Sequence, residues 1–450
     1  MKAVKLLTRG IHMKRSVSIT SASVLALSLL LAGCSGQGGQ AAKPADNGSN
    51  AANKPADSPA PKASPDGKPV TLRFATWDTG DALKIEQDIA KKFEESHPNT
   101  KIQVEAYGDG FDQKLAAAIG ANDAPDVMYM WDFPTYHSNL ETLDDYINSD
   151  PDLKKDDFYP GLFNYVKIDG KSYGLPAGFT TRVMYYNKKL FDAAGVAYPK
   201  EGWSWDDLRD MAKKLTDPSK KQYGIGIRAE NDPYDLQGMI WSNGGSFISP
   251  DGKSIEGFMN GKGTVDAIQL LGSLIKEKVA VVVGGKNQQS GDDVFKAGKI
   301  AMWESGIWPL DDFKKSGIDV GTVVMPIFSG KPLKGVVSES AMSISKNSKN
   351  KKEAWEFVKF YASDAAIKMR TADLPVRKSV ADQMKLNQDP LYQPFYKMLD
   401  TCDNTPAFLL NPKWNEVNRN LNSAIDAVIS GQNAADTLSM AVKDSQKFLK

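Results

Sequence analysis

VTLRFATWDTGDALKIEQDIAKKFEESHPNTKIQVEAYGDGFDQKLAAAIGANDAPDVMYMWD, residues 70–132, decides the fold. Its opening, VTLRFATW, alternates and is rich in β-formers, which predicts a strand. Ile85, Ile89 and Phe93 then fall four apart, one stripe of a helix. KIQVEAY is a second strand and FDQKLAAAIG a second helix. PDVMYMWD is a third strand, continuous enough in apolar residues to be buried on both faces. The order β-α-β-α-β predicts an α/β fold with a mainly parallel sheet and helices packed on it. In such folds ligands bind beyond the carboxyl ends of the strands. Those ends read Trp77-Asp78, Tyr107-Gly108-Asp109 and Trp131-Asp132. Each offers an aromatic ring beside a carboxylate. The plainer reading of each acid is a cap for the helix that follows.

Downstream the alternation continues. VKIDGKSYGLP has the form of a hairpin around Asp169-Gly170. TTRVMYYNKKLFDAAG is a strand running into a short helix. In WSWDDLRDMAKKLT, Ser204 is the helix N-cap, with Trp203 and Trp205 stapling the entry. YGIGI is a strand, and VDAIQLLGSLIKE a helix with Ile268, Leu271 and Ile275 on one face. KIAMWESGIWPL is a short strand and a turn leading into a helix. DVGTVVMPI and GVVSESAMSIS are β-rich, and from about Asn350 the pattern is mainly helical.

Upstream, residues 35–69 contain no large hydrophobe. Such a segment buries too little apolar surface to offset its ordering entropy and reads as a flexible tether. Before it, the apolar run from Val24 to Ala32 is too short to span a bilayer but has the length of a signal-peptide core. Residues 1–33 carry five Lys/Arg and no acid. Met13 is an alternative start, because the signal is complete from there. The run ends in LAGC, which looks like the lipobox of bacterial lipoproteins, with Cys34 as the lipidated residue. Two acyl chains, as in a diacylglyceryl or palmitate-bearing anchor, meet the requirement for stable membrane attachment.

Composition prunes the functions. The 450-residue chain has 56 Lys+Arg against 55 Asp+Glu, so removing the five signal cations leaves a net charge of about −4. No basic stripe marks a nucleic-acid partner. Only Cys402 remains besides Cys34, which rules out a cysteine-rich zinc site, and histidines number three. Neither a metal nor a cofactor is expected.

These segments resemble the extracellular solute-binding proteins of ABC importers, in the sugar-binding group that includes maltose-binding protein. The resemblance is carried by APDVMYMWD, GKSYGLPAGFTTRVMYYNKKLFDAAG, WSWDDL, IWSNGG, FKAGKIAMWESGIW, KNKKEAWEFVKFYAS and LPVRKS. One departure is GVVSES, which stands where a glycine pair is common. The resemblance implies two α/β lobes of the type II periplasmic-binding-protein fold with a hinged cleft between them. It implies a first lobe of residues 70–180 plus 327–372 and a second of 181–326 plus 373–450. Crossings are expected near Phe179–Val183, Met325–Phe328 and Thr371–Arg377. It further implies a monomeric, non-enzymatic receptor, lipid-anchored on the extracellular face of the cell membrane, that delivers a carbohydrate, an oligosaccharide above all, to ABC permease subunits.

Sugars present an apolar C–H face and a rim of hydroxyls, which suit a flat ring and polar side chains respectively. The expected ligand-binding residues are Trp77, Asp78, Asp109 and Asp132 from the first lobe and Trp241, Trp303, Trp308 and Trp414 from the second. Arg377 joins them at the last crossing. Two other solutes compete. A glycerol phosphate would need extra cations at the cleft, where Arg182 and Arg377 are available. Ferric ion would need Tyr185 and Tyr186 to converge, but consecutive strand residues point to opposite faces. A cell-surface glycoside hydrolase would need two carboxylates at a defined separation, and the sequence singles out no such pair.

Overall fold

The structure, a computed structural model, describes residues 69–229, 233–285 and 289–449. The signal, the lipobox with Cys34, and the tether up to residue 68 lie outside the described residues. The strands are β1 (Val70–Thr76), β2 (Thr100–Ala106), β3 (Val127–Met130), β4 (Lys167–Ile168), β5 (Lys171–Ser172), β6 (Leu175–Thr181), β7 (Val183–Asn187), β8 (Tyr223–Arg228), β9 (Ala280–Val283), β10 (Ile300–Ser305), β11 (Val320–Val323) and β12 (Val337–Ile344). They form two five-stranded sheets, ordered β2-β1-β3-β12-β6 and β11-β7-β10-β8-β9, and the small hairpin β4-β5.

Both sheets are mainly parallel. In the first, β1 pairs in parallel with β2 and β3, while β12 runs antiparallel to its neighbours β3 and β6. In the second, β8 pairs in parallel with β9 and β10, while β7 runs antiparallel to β10 and β11. Each sheet therefore has one reversed strand. The reversed strands follow the links between sheets: Arg182 alone separates β6 from β7, and residues 324–336 separate β11 from β12. A chain that enters a sheet at the edge where the other strands end must run backwards through it.

Local rules account for the elements. The helix Gly80–Ser96 buries Ile89, Ala90 and Phe93, following the stripe read from sequence. Every residue of β3 is buried, as its unbroken apolar run requires. The helix Lys351–Tyr361 covers the first sheet with rings, Phe357 lying 5.4 Å from Phe74 and 5.2 Å from Phe93 between centroids. In the β4-β5 turn Asp169 and Gly170 have φ of 49° and 76°, the two positive values a type I′ hairpin needs. Ser204 caps the helix Trp205–Leu215 in a reciprocal pair with Asp207.

That helix sits close on β8. A Cβ added at Gly224 would lie 2.3 Å from Ala212 Cα, a backbone atom that cannot swing away. Gly224→Ala is therefore expected to destabilise the protein by about 1–3 kcal/mol through overpacking. Urea denaturation with an unchanged slope would register this as a lowered midpoint. An unchanged midpoint would show that the helix can move off the sheet freely.

Candidate functional site

The carboxyl ends of β1 and β3, the end of β6 and the start of β12 meet at one edge of the first sheet. The turn after β10 faces them. Between them lies a cavity of about 340 Å³, walled by Trp77, Asp78, Glu86, Tyr129, Trp131, Thr180, Trp308, Ser338–Ser340, Arg370 and Asp373, among others. A second cavity of about 270 Å³ shares Trp131, Ser338 and Glu339 with the first. Its other walls are Tyr165, Arg182, Tyr234, Asp235, Phe408, Trp414, Asn415 and Asn418.

The aromatic walls are built in two ways. Trp77 is stacked on Tyr129 at 4.3 Å and set edge-on to Phe111, so its ring is fixed from behind. Trp308 and Trp131 are open, at 45% and 37% exposure. The Arg182 guanidinium lies 4.6 Å from the Trp308 ring, a cation–π contact that holds the indole by one face.

The polar walls form a charge network. Tyr129 Oη donates to Asp373 Oδ2 at 2.8 Å and accepts from Ser340 Oγ at 2.8 Å. Arg370 Nη1 is 3.6 Å from Asp373 Oδ2, and its guanidinium carbon lies 4.5 Å from the Tyr361 ring. Asp373 needs Gly178 beneath it, since a Cβ there would fall 2.3 Å from its Oδ2. Burial raises the Asp373 carboxyl, opposed by Arg370 and Tyr129. Tyr361 Oη donates to Glu86 Oε1 at 2.6 Å. Burial pushes Glu86 up to about 8, and Asp78 adds to the effect. The second Glu86 oxygen, Oε2, is buried without a hydrogen-bond partner among the described residues, and burial raises the neighbouring Asp78 carboxyl as well. On the far side Arg182 pairs with Asp235, and its Nε lies 3.8 Å from Glu304 Oε1. Burial raises Glu304 to about 7 against the pull of Arg182.

Of the residues expected from sequence, Trp77, Asp78 and Trp308 line the first cavity and Trp414 the second. Five lie elsewhere. Asp132 accepts from the Thr135 amide at 3.2 Å and caps the short helix Phe133–Tyr136. Asp109 is exposed after β2, the edge strand, at the outer end of the sheet. Trp303 is 1% exposed, donates from Nε1 to Asp292 at 2.8 Å and packs inside the second sheet. Trp241 is buried in the helix Pro233–Ser242 and touches neither cavity. Arg377 donates to the Ala362 and Leu153 carbonyls at 2.6 and 2.9 Å and lies over Phe158, a structural clamp away from the cavities.

Sequence reasoning passed over Tyr129, Glu86, Glu339, Arg370 and Asp373 as site residues. It noted Trp131 at its strand end but favoured Asp132. The alternation along β3 separates the two: Tyr129 and Trp131, two apart, share a face and Asp132 takes the other. For Glu339 the signal was the GVVSES departure itself. Tyr185 donates to the Gly306 carbonyl at 2.7 Å while Tyr186 packs on Phe191 and Tyr198, so the tyrosine pair does not converge on one point. Cys402 is a bystander whose thiol burial pushes up to about 12.

Residues 76–368 match the family described as bacterial extracellular solute-binding protein. The chain belongs to that family. A binding protein of Brucella abortus is 28% identical over 370 residues, spanning 78% of this chain and 86% of its own length. The maltotriose-binding protein of Pyrococcus abyssi is 26% identical over 384 residues, 82% of this chain and 79% of the relative. An ABC substrate-binding protein from Listeria monocytogenes, solved in complex with cycloalternan, superposes with a TM-score of 0.75 at 27% identity. That likeness covers 84% of this chain and 99% of the other. The architecture is accordingly the two-lobed α/β fold of such binding proteins. No helix among the described residues of this solute-binding protein is long and apolar enough to cross a membrane.

The buried acids of the solute-binding protein make its stability depend on pH. Glu86 titrates at about 8 when folded and near 4.5 when free of the fold. Between those values the unfolded chain has lost a proton that the folded chain keeps, so stability falls as pH rises. Glu86→Gln is neutral in both states and is expected to flatten the fall in Tm between about pH 5 and 8. Differential scanning calorimetry across that range measures it. A curve identical to that of the unaltered protein would assign the slope to other groups.

Proposed function

We propose that this solute-binding protein is a receptor that captures an oligosaccharide in the two adjoining cavities and delivers it to an ABC permease without chemical change. The observation that carries this reading is the pair of exposed tryptophans, Trp131 and Trp308, walling one cavity whose remaining surface is hydroxyl, carboxyl and guanidinium groups. Flat rings left open to water suit the C–H face of a pyranose, and the polar rim suits its hydroxyls. Trp77 and Asp78 complete the first binding position and Trp414 the second. The maltotriose-binding relative and the cycloalternan complex support a sugar of more than one ring.

The same reading makes residues 70–180 plus 327–372 one lobe and 181–326 plus 373–450 the other, closing on the sugar by hinge motion. In support, β1–β6 and β12 fall in the first set and β7–β11 in the second. Cys34 would carry the lipid and residues 35–69 the reach from the membrane, with the receptor acting as a monomer. An anionic solute is disfavoured because the charge of each cavity-wall arginine already has an aspartate beside it, Arg182 with Asp235 and Arg370 with Asp373, although Arg182 Nε and Arg370 Nε and Nη1 make no hydrogen bond among the described residues.

Thermal-shift measurements on the purified full chain against neutral mono- and oligosaccharides, glycerol phosphates and ferric ion test the proposal. A ligand at a hundredfold excess over its Kd adds about 2.7 kcal/mol. The expected response is to an oligosaccharide class alone. Trp308→Ala and Trp131→Ala are then expected to raise the Kd at least roughly tenfold while leaving Tm little changed, because both rings are exposed. Response only to an anion or to iron would overturn the sugar assignment.

A further inference from the structure

Glu339 occupies the wall common to both cavities, in β12 opposite Phe179 of β6. It is 4% exposed, and neither of its carboxyl oxygens has a hydrogen-bond partner among the described residues. A buried polar group with no partner costs stability.

Arg182 Nε, Arg370 Nε and Nη1, and Glu86 Oε2 in these walls are likewise without a hydrogen-bond partner among the described residues, but each of those side chains has a charged or hydrogen-bonded neighbour, and Glu339 has none. In the first cavity Arg370 Nη1 lies 3.6 Å from Asp373 Oδ2, and Glu86 accepts from Tyr361 Oη. In the second cavity Arg182 pairs with Asp235. Tyr129 bonds Asp373, and Tyr165 and Tyr234 stand as phenols in the second wall. Both wall cations thus have acids, and one acid, Glu339, has neither cation nor donor. What is missing is a hydrogen-bond donor carrying positive charge, at the point where a solute filling both cavities would pass.

We propose that the solute is an oligosaccharide bearing an amino group, and that Glu339 binds this group as its ammonium ion. The inference rests on the sugar-receptor reading above and narrows its substrate class. Burial with no cation beside it raises the Glu339 carboxyl, which favours its protonated form in the empty site. When the ammonium enters, the Glu339 O–H bond breaks and the proton passes to solvent. The carboxylate then accepts N–H bonds from the ligand. One positive charge enters and one leaves, so the burial does not add net charge to the interior.

Isothermal titration calorimetry on the full chain tests this with matched sugars: a glucosamine trisaccharide against cellotriose, and 6-amino-6-deoxymaltotriose against maltotriose. At about pH 6, where the carboxylic acid and the ammonium are both present, an aminated member is expected to bind at least roughly tenfold tighter than its hydroxyl counterpart. Titrations in buffers of different ionisation enthalpy should show proton release for the aminated member and none for the neutral one. In Glu339→Gln, shown folded by its circular dichroism melt, both the preference and the proton release should disappear. Equal or tighter binding of the neutral partner, or a preference that survives in Glu339→Gln, would overturn the inference and leave the sugar receptor standing. Absence of binding by all four, with no response from the wider sugar panel, would remove the sugar reading as well.

Discussion

A buried guanidinium stands where the chain steps from one sheet to the other. Arg182 is the single residue between β6 and β7 and is 8% exposed. Taking its charge out of water is costly unless acids and donors compensate. Asp235, from the helix Pro233–Ser242, and Glu304, from β10, supply the compensation. One charge thereby fixes the crossing to a helix and to a strand of the second sheet. The turn after β10 is tied to the same place. Thr180 Oγ1 accepts from the Ile307 amide at 2.8 Å, and the Arg182 guanidinium carries the Trp308 ring. Where Trp308 stands, and so the shape of the first cavity, follows from how this arginine is paired.

The acids of the cavity walls are kept in three different ways. Asp373 stays next to a cation and a phenol. Glu86 takes one donor, Tyr361 Oη, from behind, and burial raises it and its neighbour Asp78. Glu339 has desolvation and nothing else. A carboxyl in a low-dielectric site with no partner takes up a proton, and one beside an arginine keeps its charge. Four carboxyls at one edge of a sheet therefore do not make an anionic pit. Burial raises all four, so the edge carries less negative charge than a count of its acids suggests.

Much of the fold was legible because it obeys short-range rules. The stripe of Ile85, Ile89 and Phe93, the Asp169-Gly170 turn and the Ser204 cap each depend on a few neighbouring residues. The carboxyl-end rule led to Trp77 and Asp78 for the same reason. The site's other half could not be read that way. Arg370, Asp373 and Glu339 come to Tyr129 and Asp78 across more than two hundred residues of chain, and no local pattern marks such meetings. Tryptophan content does not separate cavity rings from buried ones for a related reason. Trp303, Trp241 and Trp308 lie in similar apolar surroundings in sequence, yet only Trp308 follows a turn that throws its ring outward. Trp303 donates to Asp292 from within the second sheet, and Trp241 is buried in its helix.

That difference bears on what the protein gives up for its site. Burying a large apolar side chain is worth about 1.5–3 kcal/mol. Trp308 and Trp131 leave much of that unrealised, and together they account for the exposed tryptophans among the described residues. Glu339 adds a buried carboxyl that the fold does not satisfy. Sequences that specify one structure usually keep local preference and burial in agreement, and violations concentrate where function requires them. Here violations of two kinds, two bare rings and one acid without any partner, adjoin the same pair of cavities. A purely structural account would have to explain each separately. A solute that covers the rings and supplies the acid with a donor resolves all three at once, because the surface left uncovered in the free protein is the surface it needs.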